Sequence, residues 1–246
     1  TSVLDPDIRA HLEAENAYQD AQMADTADLQ KQLFAEMKGR IKEDDSSVPM
    51  KDGPYAYGTR FVTGGQHAHY LRLPRQGGAE ETILDGDKEA EGHDYFRIAS
   101  VGHAPDHARL LWSYDDSGSE FFTIKVRDLG SGADLAETVT DTGGGTWDGA
   151  SKGFFYTRLD ANHRPVAIHY HAIGASGPDP LIYEEKDPGF FMDVGGSRLN
   201  DFIFIGINDH ETTEYRILPA SQPDAEPMLV AARETGVQYD LNEGGD

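Results

Sequence analysis

The chain has 246 residues with 44 acidic and 21 basic side chains, a formal net charge of -23, 38% hydrophobic residues and no cysteine. Such an acidic field repels nucleic acid and anionic membrane surfaces and attracts basic ligands, while the lack of cysteine excludes disulfides, thiolate chemistry and cysteine-held metal. No apolar run approaches the roughly 18 residues of a membrane-spanning helix, and no leader pattern opens the chain, so a cytoplasmic protein without membrane contact is expected.

Asp5-Pro6 is a helix start, with Asp as N-cap and Pro where no intrahelical donor is needed. Ile8, Leu12, Tyr18 and Met23 follow on one loose stripe. Asp25-Thr26 offers a second cap before Leu29, Leu33, Phe34, Met37 and Ile41, again at helical spacing, with Gly39 weakening the end. The spacing predicts a two-helix arm over residues 1–47 whose apolar stripes need a partner outside the arm. Glu43-Asp44-Asp45-Ser46-Ser47 is a polar junction, and Val48-Pro49 opens a β region.

Within that region the pattern changes from helical to period two. Leu110, Trp112 and Tyr114 alternate with Leu111 and Ser113; the turn Asp115-Asp116-Ser117-Gly118 follows, and Phe122, Ile124 and Val126 alternate with Thr123, Lys125 and Arg127. This is an antiparallel hairpin. Three more hairpins share the layout: 55–62 with 67–73 after Asp52-Gly53, 153–159 with 165–173 after Asp148-Gly149, and 202–208 with 213–218 after Gly195-Gly196. They recur about every 45–55 residues, a repeat signature. Each repeat has room for an entering and an outer strand, such as 96–101 and 135–139 around the second hairpin. The fold class is therefore all-β: an incomplete β-propeller of about four four-stranded antiparallel blades behind the helical arm. The blades span about 48–90, 91–142, 143–188 and 189–235. A β-sandwich would need no period. Residues 236–241 read as the first strand of a further repeat, which stops at Asn242-Glu243-Gly244-Gly245-Asp246.

Several stretches resemble the prolyl oligopeptidase family, and within it the oligopeptidase B (protease II) branch. They are His11-Leu12-Glu13-Ala14-Glu15-Asn16-Ala17-Tyr18, Phe34-Ala35-Glu36-Met37-Lys38-Gly39-Arg40-Ile41, Tyr70-Leu71-Arg72, His171-Ala172-Ile173-Gly174, Leu181-Ile182-Tyr183-Glu184-Glu185-Lys186-Asp187 and Asp224-Ala225-Glu226-Pro227. The likeness runs through nearly the whole chain. It implies a two-domain serine peptidase in which a propeller of about seven blades covers an α/β-hydrolase domain carrying Ser, Asp and His. It also implies short-peptide substrates cut after Arg or Lys, and an arm packed partly on the hydrolase domain. Against that pattern the chain is expected to be a fragment without the last blades, the hydrolase domain and the catalytic residues.

Gly149-Ala150-Ser151-Lys152-Gly153 matches the G-x-S-x-G nucleophile elbow, but it follows Gly143-Gly144-Gly145-Thr146-Trp147-Asp148 and runs into the strand Phe154-Phe155-Tyr156. An elbow needs a strand before it and a helix after it, so Ser151 is read as a blade-turn residue and no catalytic residue is assigned. His67 with His69, and His169 with His171, are i,i+2 pairs at a spacing that can hold zinc, yet no third ligand accompanies either; no metal or cofactor is assigned. Asp85-Gly86-Asp87 and Asp115-Asp116-Ser117 lack the spacing of a calcium loop and read as turns. Trp112, Phe154, Phe155, Tyr156, Phe202 and Phe204 read as inter-blade core.

The partners expected are short basic peptides, reached through the parent enzyme, and the absent hydrolase domain. A second copy is expected over the apolar faces of the end blades (55–62 with 70–73, and 202–207 with 215–218). A stand-alone propeller that binds other proteins is the alternative.

Overall fold

The computed structural model describes residues 4–244; residues 1–3 of the expected arm and the last two of the closing Asn242–Asp246 stretch lie outside the described residues. The arm forms as α1 (Pro6–Met23), a 3-10 turn (Ala24–Thr26) and α2 (Ala27–Gly39). Asp5 caps α1, its carboxylate accepting the Asp7 N–H at 2.9 Å. The second cap does not form: Thr26 has helical backbone angles and its hydroxyl donates back to the Met23 carbonyl at 2.7 Å. The two helices are thus nearly continuous, and neither buries any residue.

The β region is an antiparallel meander. The first sheet holds β1 (Met50–Asp52), β2 (Tyr55–Arg60), β3 (His69–Pro74) and β4 (Glu81–Asp85), followed by the single-turn α3 (Gly86–Glu89). The second group holds β5 (Arg97–His103), β6 (Arg109–Asp115), β7 (Phe122–Asp128) and β8 (Asp134–Trp147), the third β9 (Gly153–Leu159), β10 (Pro165–Ala172) and β11 (Leu181–Glu184). The last sheet holds β12 (Phe191–Gly196), β13 (Phe202–Asn208), β14 (Thr213–Pro219) and the short β15 (Met228–Leu229).

The second and third groups form one seven-stranded sheet because β8 belongs to both. Val139 pairs with Ile124 of β7, Gly145 with Tyr156 of β9, and Thr142 with both Phe122 and Arg158. Asp141 at φ 57° and Gly144 at φ 147° swing the strand from one neighbour to the other without breaking it. The glycine run that reads as punctuation in the sequence is a bend inside a strand.

Each sheet presents alternate side chains to its two neighbours. Leu84, Leu110 and Trp112 join Tyr57 and Tyr70 between the first and second groups. Leu111, Ile124, Val126, Trp147, Phe154 and Tyr156 fill the next gap. Phe155, Ile168, Met192, Ile203, Ile205 and Ile207 fill the last. Adjacent residues such as Leu110 and Leu111, or Phe154 and Phe155, therefore serve different cores, each fully buried side chain contributing about 1.5–3 kcal/mol.

The edges of the two end sheets are extended by the chain itself. Ser47 lies along β2, its N–H donating to the Thr59 carbonyl and its hydroxyl accepting the Thr59 N–H, both at 2.9 Å. At the other end residues 236–241 form no strand of a further sheet. They lie against β14 instead: the Val237 carbonyl accepts the Thr213 N–H and the Tyr239 hydroxyl accepts the Tyr215 N–H, each at 3.0 Å. Among the described residues no helix is long and apolar enough to cross a membrane.

Candidate functional site

Three turns, β5–β6, β8–β9 and β12–β13, share one construction. In the β5–β6 turn the Ala104 N–H donates to the Arg109 carbonyl at 2.9 Å; in the β8–β9 turn Asp148 donates to Gly153 at 2.9 Å; in the β12–β13 turn Ser197 donates to Phe202 at 2.7 Å. Each holds its fourth residue at positive φ: His107 at 59°, Ser151 at 56° and Asn200 at 61°. Ser151 thus stands between two strands at a repeating turn position, with 4% exposure. Its hydroxyl oxygen accepts the Asp106 N–H at 3.0 Å and its carbonyl accepts from Arg109 Nη1 at 3.0 Å. The geometry is a clamp on the preceding blade, without the strand–turn–helix setting of a nucleophile elbow. Asp148 organises the same turn, accepting the N–H groups of Ala150 and Lys152 at one oxygen and the Tyr170 hydroxyl at the other.

The His67/His69 pair separates. His67 sets its ring edge-on to Phe96, with centroids 5.9 Å apart. His69, the first residue of β3, pairs with Asp85 of β4, and its Nε2 lies 3.2 Å from both Asp85 Oδ1 and Asp87 Oδ2. Asp85-Gly86-Asp87 is not a hairpin turn: Asp85 caps α3, accepting the Lys88 N–H, and α3 folds Asp87 back towards β3. Burial opposes the Asp87 charge, but the N–H groups of Gln66 and His67 and the His69 ring outweigh it and hold the carboxyl below its ordinary range.

His169 and His171 stay together and converge on Asp179. Asp179 Oδ1 lies 2.9 Å from His171 Nδ1, its Oδ2 accepts the Tyr156 hydroxyl at 2.9 Å, and its carbonyl lies 3.3 Å from His169 Nδ1. Burial, reinforced by Asp179, pushes the Tyr156 hydroxyl up to about 12. These residues with Arg158 and Thr138 line an open cleft of about 430 Å³. Beside it an apolar cleft of about 570 Å³ runs between the loops after β10 and β14, floored by Tyr170, Leu181 and Ile182 and edged by Asp179, Asp224 and Glu226. Asp179 escapes a sequence reading because it sits in a Gly/Pro-rich turn and meets its partners only through strand register.

A further cluster with no spacing signal ties β1 to β5. Tyr57 stacks on His103 with centroids 3.7 Å apart, its hydroxyl lies 2.8 Å from His107 Nδ1, and His103 Nε2 lies 2.8 Å from Asp52 Oδ2. Burial lifts the Tyr57 hydroxyl to about 12 against the pull of Arg72. Asp115 is 2% exposed and needs no cation: its carboxylate accepts the N–H groups of Ser117, Gly118 and Glu120. Trp112, Phe154, Phe155 and Tyr156 are core, whereas Phe202 and Phe204 lie on the outer face of the last sheet beside Leu241, because Ile203 and Ile205 take the inter-blade positions.

The family profile described as prolyl oligopeptidase, N-terminal β-propeller domain, matches residues 4–246. Dipeptidyl aminopeptidase BI of Pseudoxanthomonas mexicana is 31% identical over 98% of this chain and 36% of its own length. Protease 2 of Moraxella lacunata is 28% identical, with the same two coverages of 98% and 36%. The structure of oligopeptidase B from Leishmania major superposes with a TM-score of 0.88 at 31% identity, over 98% of this chain and 35% of that one. The chain thus spans about a third of the length of the relatives it matches.

Proposed function

Since this chain belongs to the prolyl oligopeptidase family, as its N-terminal β-propeller region, we propose that it is the substrate-selecting part of a serine oligopeptidase that cuts short peptides after Arg or Lys. Hydrolysis itself falls to a Ser–His–Asp triad in a hydrolase domain outside these 246 residues. The observation that carries this reading is the arm. Ile8, Leu12, Tyr18, Leu29, Leu33, Phe34 and Met37 are all exposed on α1 and α2, and neither helix buries any residue. An apolar surface of that extent serves as an interface. The occupant proposed is the hydrolase domain, against which the arm would anchor the propeller.

Selection for basic residues follows from charge. The net charge of -23 and the acidic edge at Asp179, Asp224 and Glu226 raise the local concentration of Arg- and Lys-containing peptides. The test is kinetic, on the longer protein that carries this sequence. The kcat/KM for an Arg peptide is expected to fall as salt rises and to drop several-fold on replacing all three acids by amides, with a neutral peptide unaffected. Equal salt dependence for both peptides would refute the steering role.

A further inference from the structure

We propose that His69, Asp85 and Asp87 form a binding site for a divalent first-row transition ion, with zinc as the expected occupant. The three donor atoms, His69 Nε2, Asp85 Oδ1 and Asp87 Oδ2, all lie within 4.8 Å of one another. Both nitrogen–oxygen separations are 3.2 Å. Ligand arms of about 2.0–2.2 Å, set at octahedral to tetrahedral angles, place neighbouring donors roughly 2.9–3.5 Å apart. The two His69 nitrogen–oxygen separations fall inside that window. His69 Nε2 is within hydrogen-bond reach of Asp87 Oδ2, but a single imidazole N–H cannot align with two carboxylates at once, which leaves Asp85 Oδ1 without that bond.

The supporting shell is also that of a metal site. The other oxygen of Asp87 is held by the Gln66 and His67 N–H groups at 2.9 and 3.0 Å, which leaves Oδ2 aimed at His69. The Lys88 N–H fixes Asp85 by donating at 3.1 Å to the same Oδ1 that faces His69, so that oxygen would serve as helix cap and ligand together. Glycine at position 65 keeps the space over Asp87 Oδ2 open, since a Cβ there would lie 2.3 Å from that oxygen. The ligands come from the start of β3, the end of β4 and α3, joined by a strand register that fixes their separation.

Charge points the same way. Elsewhere the converging carboxylates share an arginine: Glu89 and Asp134 meet Arg127, and Glu185 and Glu214 meet Arg233. Asp85 and Asp87 pair with no lysine or arginine among the described residues, and their one ionic contact is His69. A cation fills that deficit, and the remaining coordination positions are open to water. The ion would clip β3, β4 and α3 together.

The experiment is a zinc titration of the full chain against a chromophoric chelator, with thermal melts in parallel. About one tight equivalent and a raised Tm are expected. Asp87→Asn keeps the acceptor for the two backbone N–H groups, so its fold is retained by circular dichroism while zinc affinity drops about 10–100-fold. His69→Gln is the second variant and is expected to lose affinity equally, whereas His169→Gln leaves it unchanged. No saturable binding at micromolar zinc, or binding that survives both Asp87→Asn and His69→Gln, would overturn the proposal.

Discussion

The Ser151 hydroxyl accepts a hydrogen bond from the Asp106 N–H at 3.0 Å, which locks the β8–β9 turn to the β5–β6 turn of the preceding blade. The serine of a nucleophile-like motif is thereby engaged as a structural acceptor. Ser151→Ala is expected to cost about 1–3 kcal/mol by leaving that N–H unpaired in a buried turn. Ser151→Gly is expected to cost less, because glycine relieves about 1 kcal/mol of left-handed backbone strain. Urea unfolding of the two variants checks the order.

Arg233 is the hub of a second clamp, bonding Glu185 and Glu214, whose side chains are each 7% exposed. Burial works against the Glu185 charge, but the Arg233 hydrogen bond outweighs it and holds the carboxyl below its ordinary range. A depressed carboxyl contributes stability that is present above its unfolded pKa of about 4.3 and is lost as pH falls through the folded value. Arg233→Met is expected to destabilise the fold by about 2–4 kcal/mol at neutral pH. The gap between variant and parent should close as pH falls below about 4. Denaturant midpoints across that range test both the size and the sign.

At the alkaline end the sign reverses. Tyr57 and Tyr156 are both pushed up to about 12, chiefly by burial. A raised phenol contributes stability that is complete below the unfolded value of about 10 and is lost as pH rises towards the folded one. The chain should therefore destabilise between about pH 10 and 12, with Tyr156→Phe weakening that dependence. Tyrosinate absorbance gives the measurement: these two residues ionise after the exposed ones, or together with unfolding.

Much of this layout is legible from residue order. Leu110, Leu111 and Trp112 announce a strand with two faces, and the structure sends the odd and even positions to different cores. Asp5-Pro6 announces a helix start, and α1 begins there. What escapes the sequence depends on register or on a competing local bond. Asp179 reaches His171 and Tyr156 only because β9 and β10 pair as they do. His69 finds Asp85 across β3 and β4. Thr26 caps nothing because its hydroxyl turns back to Met23. Residues 236–241 resemble a strand, but the Tyr239 hydroxyl and the Val237 carbonyl hold them against β14.

The exposed apolar residues carry a prediction of their own. Phe61, Leu73 and Phe202 remain about 36–42% exposed on the end sheets even with the flanking segments in place, and Phe34 and Met37 project from α2. Self-association of the chain is expected at micromolar concentration in moderate salt, where charge repulsion is screened. Because α1 and α2 bury no residue, deleting residues 1–43 should leave the Tm nearly unchanged while reducing association. Light scattering of a clean monomer before deletion, or a large fall in Tm after it, would contradict this.

The most direct test of the central claim is active-serine labelling. A fluorophosphonate probe would be applied in parallel to the longer protein carrying this sequence and to the 246-residue chain alone, together with turnover of an Arg-terminated chromogenic peptide. The longer protein is predicted to be labelled at a serine beyond position 246 and to cut the peptide, while the 246-residue chain is neither labelled nor active. Labelling of Ser151, with turnover lost in Ser151→Ala, would contradict the account.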